Sequence, residues 1–340
     1  MQQSAMTDLS PETVGAYTKV RRVTVTNEHS GRRVDNYLLW LLGDVPKSRV
    51  YRMLRSGEVR IDGGRVRQDH RLRSGEVLRI PPVRHTVAAP PAIISDRLRG
   101  WLDGAILHED DSMLIVNKPA GIAVHSGSGV KYGVIEILRA LCPAAPYLEL
   151  VHRLDRSTSG CLMVAKSPMR LRELHVMLRE NRIEKRYLAL SAGAWTGGPR
   201  RVETNLRRYG QRSGERVVRV CADGKLAETV VTPREHFGAA TLVEAQPLTG
   251  RTHQIRVHLS HLGHPVAGDE KYGDRDFNKR MRVYGLNQGQ LFLHARRLQW
   301  DEGEDGSTLS VEAPLPLELE AVLRQLRERS DVGSSSSETP

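Results

Sequence analysis

The stretch His152-Arg153-Leu154-Asp155-Arg156-Ser157-Thr158-Ser159-Gly160 lies between two apolar runs, Tyr147 to Val151 and Cys161 to Ala165. It places one carboxylate in a turn rich in hydroxyls and glycine. A strand, a polar turn and a second strand form a rigid scaffold on which Asp155 can be presented as a catalytic group. The same composition describes a surface loop whose Asp and Ser bond their own backbone, and position alone favours that loop. Three further segments carry chemically able side chains. They are Asn117-Lys118-Pro119-Ala120-Gly121 with His125 close behind, Glu184-Lys185-Arg186-Tyr187-Leu188-Ala189-Leu190, and Gly250-Arg251-Thr252-His253-Gln254-Ile255-Arg256-Val257-His258-Leu259. The last continues into Gly263-His264-Pro265 and Asp269-Glu270-Lys271-Tyr272-Gly273. Helical spacing puts Ile255, Leu259 and Leu262 on a buried face and Arg256 at its boundary, where a cation can reach a cleft.

Elements of mixed type must hold these segments. Strands are expected around Ile106 and over Met113 to Asn117, Cys161 to Ala165, Arg186 to Leu190, Val217 to Val220, Ala227 to Val231, Thr241 to Ala245, Leu291 to Arg296 and Thr308 to Glu312. Helices are expected at Gly133 to Leu141, Met169 to Arg179, Thr252 to Leu262 and Pro316 to Arg327. Strands that succeed one another without intervening helices predict an α+β fold with a mixed, mainly antiparallel sheet over residues 94–328. A smaller unit over residues 19–83 precedes it. There Val34, Tyr37, Leu38 and Leu41 have the spacing of a one-faced helix, and Ser48 can cap a second helix that buries Val50, Met53 and Leu54. Two short strands follow, Glu58 to Asp62 and Glu76 to Ile80. Pro81-Pro82 and Ala89-Pro90-Pro91 mark a semi-rigid linker at residues 84–93. The polar residues 1–18 and the Ser-rich tail 329–340 are expected to be disordered.

Composition narrows the partners. The net charge is +11 and the pI is near 9.8, which favours a polyanion, nucleic acid before membrane surface. Arg32 to Val83 alone carries 12 Lys/Arg against 6 Asp/Glu, so the basic excess is concentrated in the small unit. No apolar run approaches the roughly 20 residues that span a bilayer. The three cysteines are far apart, which fits reduced thiols in a cytoplasmic protein. The 13 histidines show no zinc-protease spacing, and no phosphate- or dinucleotide-binding glycine pattern occurs. A metal-free, cofactor-free enzyme is therefore expected.

The four chemically able segments, in this order, resemble the RluA-type pseudouridine synthases that act on ribosomal and transfer RNA. The resemblance implies that Asp155 is the catalytic aspartate, which attacks the ribose or removes a proton from it. It implies that Arg256 is the cation beside Asp155. It further implies that Tyr187 stacks on the uracil and helps remove the C5 proton, a role that requires a pKa below the usual value near 10. Arg153 is expected to fill the gap left when the target nucleotide flips out of its stack, and Lys185 to contact phosphate. Ser157 stands where the family commonly has an acidic residue, and Ala120 where it often has serine. The helix-helix-strand unit resembles the S4 RNA-binding domain, whose second helix and following hairpin bind structured RNA. Here those positions carry Lys47, Arg49, Arg52, Arg55 and Arg60. An S4 module ahead of the catalytic domain points to the large-subunit ribosomal RNA branch. Val45 to Ile61, the Val124 to Gly129 loop, Gly133 to Leu141 and Gly273-Asp274-Arg275 point the same way. The expected partner is 23S RNA or an assembling large ribosomal subunit, met by a monomer. Which RNA helix is modified stays open, and so does a rival role as a non-catalytic assembly factor. A glycosidase is disfavoured because no paired carboxylates are evident.

Overall fold

The computed structural model describes residues 20–43, 45–83, 96–126, 132–145, 147–210, 216–302 and 307–335. The segment 1–18, the linker 84–93, part of the Val124 to Gly129 loop and residues 336–340 of the tail lie outside them. Two compact units divide near Ile94.

In the first unit, β1 (Arg21–Thr24) precedes helices α1 (Val34–Leu41) and α2 (Lys47–Ser56). Strands β2 (Arg60–Ile61), β3 (Gly64–Arg65) and β4 (Val77–Ile80) follow, and the sheet runs β1-β4-β2-β3 with antiparallel pairs. The apolar spacing explains the helices: Val34, Tyr37 and Leu38 of α1 bury against Val50, Met53 and Leu54 of α2 in one core. Ser48 does not cap α2. The N-cap is Pro46, whose fixed φ of −56° starts the turn and whose carbonyl accepts from Arg49 N at 2.8 Å, leaving Ser48 inside the first turn. Gly57 ends α2 in the left-handed region at φ 72°, a conformation other residues adopt at a cost.

The second unit is one large sheet with helices packed on it. Its elements are α3 (Asp96–Ala105), β5 (Ile106–Glu109), β6 (Met113–Lys118), α4 (Val134–Leu141), β7 (Glu149–Leu150), β8 (Ser159–Ala165), α5 (Pro168–Arg179) and β9 (Glu184–Ala192). These are followed by β10 (Arg200–Gly210), β11 (Arg216–Val220), β12 (Lys225–His236), β13 (Ala240–Pro247), α6 (Gln254–His261), α7 (Arg275–Val283), β14 (Leu293–Glu302), β15 (Ser307–Glu312) and α8 (Leu317–Ser335). The strand order is β11-β10-β12-β13-β9-β14-β8-β6-β5, with β15 on β14 and β7 on β8. The β8–β14 pair is parallel and the other paired strands are antiparallel, so the sheet is mixed and mainly antiparallel. Strand β8 is buried along its whole length, as expected of a central strand.

Two corrections concern helices. Helix α8 runs on to Ser335, past the expected end at Arg327 and into the segment read as tail. Helix α6 begins at Gln254, because His253 adopts the left-handed conformation at φ 54° and cannot be its first turn.

Candidate active site

Asp155 stands in the turn between β7 and β8, and the geometry of that turn depends on Gly160. This residue has φ 107°, and a Cβ here would lie 2.2 Å from the carbonyl oxygen of Ala295 on β14. Only glycine lets the parallel strands close directly behind the turn. Ala295 pairs with Gly160 on one side and with Tyr187 of β9 on the other. The exit of the Asp155 turn and Tyr187 are therefore two strand spacings apart, about 9–10 Å across the sheet.

Helix α6 brings Arg256 to the same place. Its Nη1 donates to Asp155 Oδ2 at 3.1 Å. Its Nε and Nη2 donate to Asp269 Oδ2 and Oδ1 at 2.7 and 2.8 Å, a two-pronged bond of the planar kind that arginine alone makes. Arg256 is buried rather than at the boundary of the helix face, and the reason is that every residue from Gln254 to Leu259 is buried. Burial disfavours its charge, but the Asp269 hydrogen bonds and charge, followed by Asp155, raise its pKa above the ordinary value. Asp269 is fully buried and also accepts from the backbone N–H groups of Lys271 and Tyr272. Burial opposes its ionisation; the Arg256 bonds and these N–H groups prevail and hold it below the usual carboxylate range. The Asp155 side chain keeps 19% of its surface exposed, so a ligand can reach it.

His253 completes the arrangement. Its Nε2 lies 3.8 Å from Asp155 Oδ2, and its Nδ1 is 2.7 Å from the Tyr272 hydroxyl. That hydroxyl also accepts from the Val218 N–H at 2.9 Å. Burial lowers the His253 pKa, which keeps the ring neutral. The Arg256 guanidinium carbon also lies 5.1 Å from the centre of the Tyr272 ring, which locks the two groups together.

Behind the turn, Lys118 is fully buried and its Nζ donates to the carbonyls of Pro119, Ile122 and Arg156. Burial brings its pKa down to about 7, against the pull of Asp155. Arg156 and Gly121 exchange two further bonds at 2.8 Å, Nε to carbonyl and N–H to carbonyl. The Asn117 to Gly121 segment thus clamps the catalytic turn from below.

These groups open into a cleft of about 340 Å³ whose lining includes Asp155, Arg256, His253, Tyr187, Lys185 and Arg153, with Leu154, Ile255 and Leu293 as apolar wall. That is within the size of a ligand site. Arg153 is exposed at the cleft, and Lys185 is half-buried with its pKa lowered by burial. The condition set for Tyr187 as a proton carrier, a lowered pKa, is not what its surroundings favour: burial, then the Asp155 charge, push the phenol above its ordinary value. The Tyr187 ring lines the cleft, and burial disfavours loss of its phenol proton.

The remaining expected residues lie on the first unit. Lys47, Arg52, Arg55 and Arg60 are exposed. Arg49 is half-buried and its guanidinium is occupied by Glu58 at 2.7 and 3.1 Å. Sequence reasoning assigned no role to Asp269, His253, Tyr272 or Lys118, although all four stand inside the quoted segments. Among the described residues no cluster of three or more His, Cys, Asp or Glu is arranged to hold a metal, and no helix is long and apolar enough to cross a membrane.

Comparison with known proteins places this geometry. Residues 112–261 match the family model described as RNA pseudouridylate synthase. The chain is 49% identical over 311 residues to the ribosomal large subunit pseudouridine synthase C of Haemophilus influenzae, covering 91% of this chain and 96% of that one. It is 46% identical to the protein of the same name from Escherichia coli K12, covering 91% and 97%. The solved structure of human RNA pseudouridylate synthase domain containing 4 aligns with a TM-score of 0.57 at 27% identity, covering 68% of this chain and 95% of that one.

Proposed function

The chain belongs to the RNA pseudouridine synthase family, and from that premise we propose that Asp155 is the group through which it isomerises chosen uridines of 23S ribosomal RNA. The enzyme converts uridine to pseudouridine in large-subunit ribosomal RNA. The reaction breaks the N1–C1′ bond, turns the uracil and rejoins it through C5, so no atom is gained or lost. One positioned carboxylate suffices to act on the ribose, either by attack on carbon or by taking a proton. The observation that carries this assignment is the 3.1 Å bond from Arg256 to Asp155, with Arg256 itself fixed by Asp269. A carboxylate in a cleft stays aimed when the cation bonded to it cannot move away.

The target nucleotide must leave its stack to reach Asp155, since C1′ and C5 are shielded within it. Tyr187 then faces the uracil, Arg153 enters the vacated stack and Lys185 meets phosphate. The first unit is read as an S4-like module whose exposed Lys47, Arg52, Arg55 and Arg60 add affinity through phosphate contacts without reading sequence. The target helix is read as that of the synthase C-like relatives, which match over nine-tenths of this chain, with a synthase D-like target as the alternative. The setting is the cytoplasm, the partner free 23S RNA or an assembling subunit, and the acting species a monomer.

The test is to incubate the protein with 23S RNA transcribed without modifications and to map pseudouridine at single-nucleotide resolution. New pseudouridine at a few discrete positions is expected. RNA bound but unchanged would favour the non-catalytic assembly role instead.

A further inference from the structure

A second hollow of about 240 Å³ adjoins the cleft at the ends of β9, β13 and β14. It shares Lys185 and Pro247 with the cleft, so a strand leaving the first hollow passes Lys185 to enter the second. Its floor is polar. Gln246 and Gln299 are half-buried there, and neither amide has a hydrogen-bond partner among the described residues. Two carboxylates share the space, Glu184 and Asp301. Glu184 is already paired with Arg186 and Arg297, whereas Asp301 accepts from Thr308 and stays exposed.

From this arrangement we propose that the second hollow holds the base of a nucleotide next to the target uridine and reads its edge through Gln246 and Gln299. The proposal rests on the RNA-modifying reading above. Arg182 also lines the hollow but is paired with Glu180. The floor therefore meets a ligand chiefly through the two amides, each a donor and an acceptor side by side that matches the edge of a nucleobase, and Asp301 disfavours a phosphate beside them. The linking phosphate belongs at Lys185, a partly buried ammonium that makes no ion pair among the described residues and needs an anion. The volume is below the roughly 300 Å³ of the smallest usual ligand sites, which suits one planar base and excludes a second whole nucleotide. Specific RNA recognition commonly works this way, on unstacked bases whose edges are hydrogen-bonded.

The experiment uses the full chain and short stem-loops copied from a mapped target, with each base in turn, and an abasic residue, on either side of the uridine. Single-turnover rates and KM are measured for wild type, Gln246→Leu, Gln299→Leu, Gln246→Glu and Gln299→Glu. Wild type should prefer one base at one flanking position by about tenfold or more, the scale of a good amide-to-base contact. The Leu variants should bring that preference toward unity. The Glu variants, which keep acceptors and lose donors, should shift it toward bases that present an amino group. On the abasic RNA all five proteins should react alike, which also shows that the variants fold. A preference unchanged in the variants, or an equal loss on the abasic RNA, overturns the proposal. Product without any flanking preference overturns this inference alone, whereas no product on any RNA overturns the functional reading beneath it.

Discussion

Asp269 grips Arg256 with both carboxylate oxygens, at 2.7 and 2.8 Å, and leaves one guanidinium nitrogen to reach Asp155. The Asp155 carboxylate is thus oriented through a second, fully buried one. Asp269→Asn keeps the shape and removes the charge. Leaving a buried charge wholly uncompensated costs about 3–5 kcal/mol; Asp155 still faces Arg256 at 3.1 Å, so the cost here should be lower than that. The variant should show a clear fall in melting temperature and a large loss of turnover on RNA. Unchanged melting and unchanged turnover would separate Asp269 from the site.

Tyr272→Phe removes the hydrogen-bond partner of His253 Nδ1 and the acceptor of the Val218 N–H together. A buried group left unpaired costs about 1–3 kcal/mol. Because Tyr272 acts on Asp155 through His253, the losses in turnover for Tyr272→Phe and His253→Ala should not add in the double variant. Strict additivity, read from single-turnover rates, would show that the two side chains act separately.

Tyr187 stays protonated across the working range, because burial and Asp155 both raise its pKa. The rate of the wild-type enzyme should therefore show no rising limb below pH 10 that disappears in Tyr187→Phe. Such a limb in the pH profile would restore the phenol as a proton acceptor.

Acid should weaken the fold through two histidines held neutral. His294 accepts from the Ser159 hydroxyl at Nδ1 and donates to the Ala313 carbonyl at Nε2, while His258 lies between Thr204 and Thr229. Burial brings each pKa down from 6.5 to about 4, helped by His261 for His258 and, for His294, outweighing the Ala313 hydrogen bond that favours the charged ring. The unfolded chain takes up these protons near pH 6.5 and the folded chain only near pH 4. Stability is thus fully present above pH 6.5 and falls as the pH drops through that window. Denaturant midpoints measured from pH 7.5 to 4.5 should decline, and His294→Asn should flatten the decline. A midpoint constant across this range would contradict the assignment.

The site was legible where chemistry and order along the chain coincide. Asp155, Tyr187 and Arg256 stand in segments whose wording is distinctive, and their assembly in one cleft needed only the fold. Asp269 and His253 were in view but carried no visible role, because each acts across distance, on Arg256 13 residues away or on Asp155 in another turn. Strand β10 went unread because its buried Val202 and Leu206 are set among charged and polar residues, without the alternation that marks a strand. Helix α7 was missed for a related reason: only Phe277 and Met281 of nine residues bury, and the Asp274 side chain that caps it gives the clearer local signal. The burial of Arg256 and the raised pKa of Tyr187 are properties of packing from several elements, which no single segment expresses.

The most direct measurement compares wild type and Asp155→Ala on unmodified 23S RNA, with pseudouridine mapped at each nucleotide and RNA affinity measured in parallel. The account predicts that product disappears at every position while affinity changes by no more than a few-fold, since phosphate contacts supply most of the binding. Equal product from Asp155→Ala would contradict it.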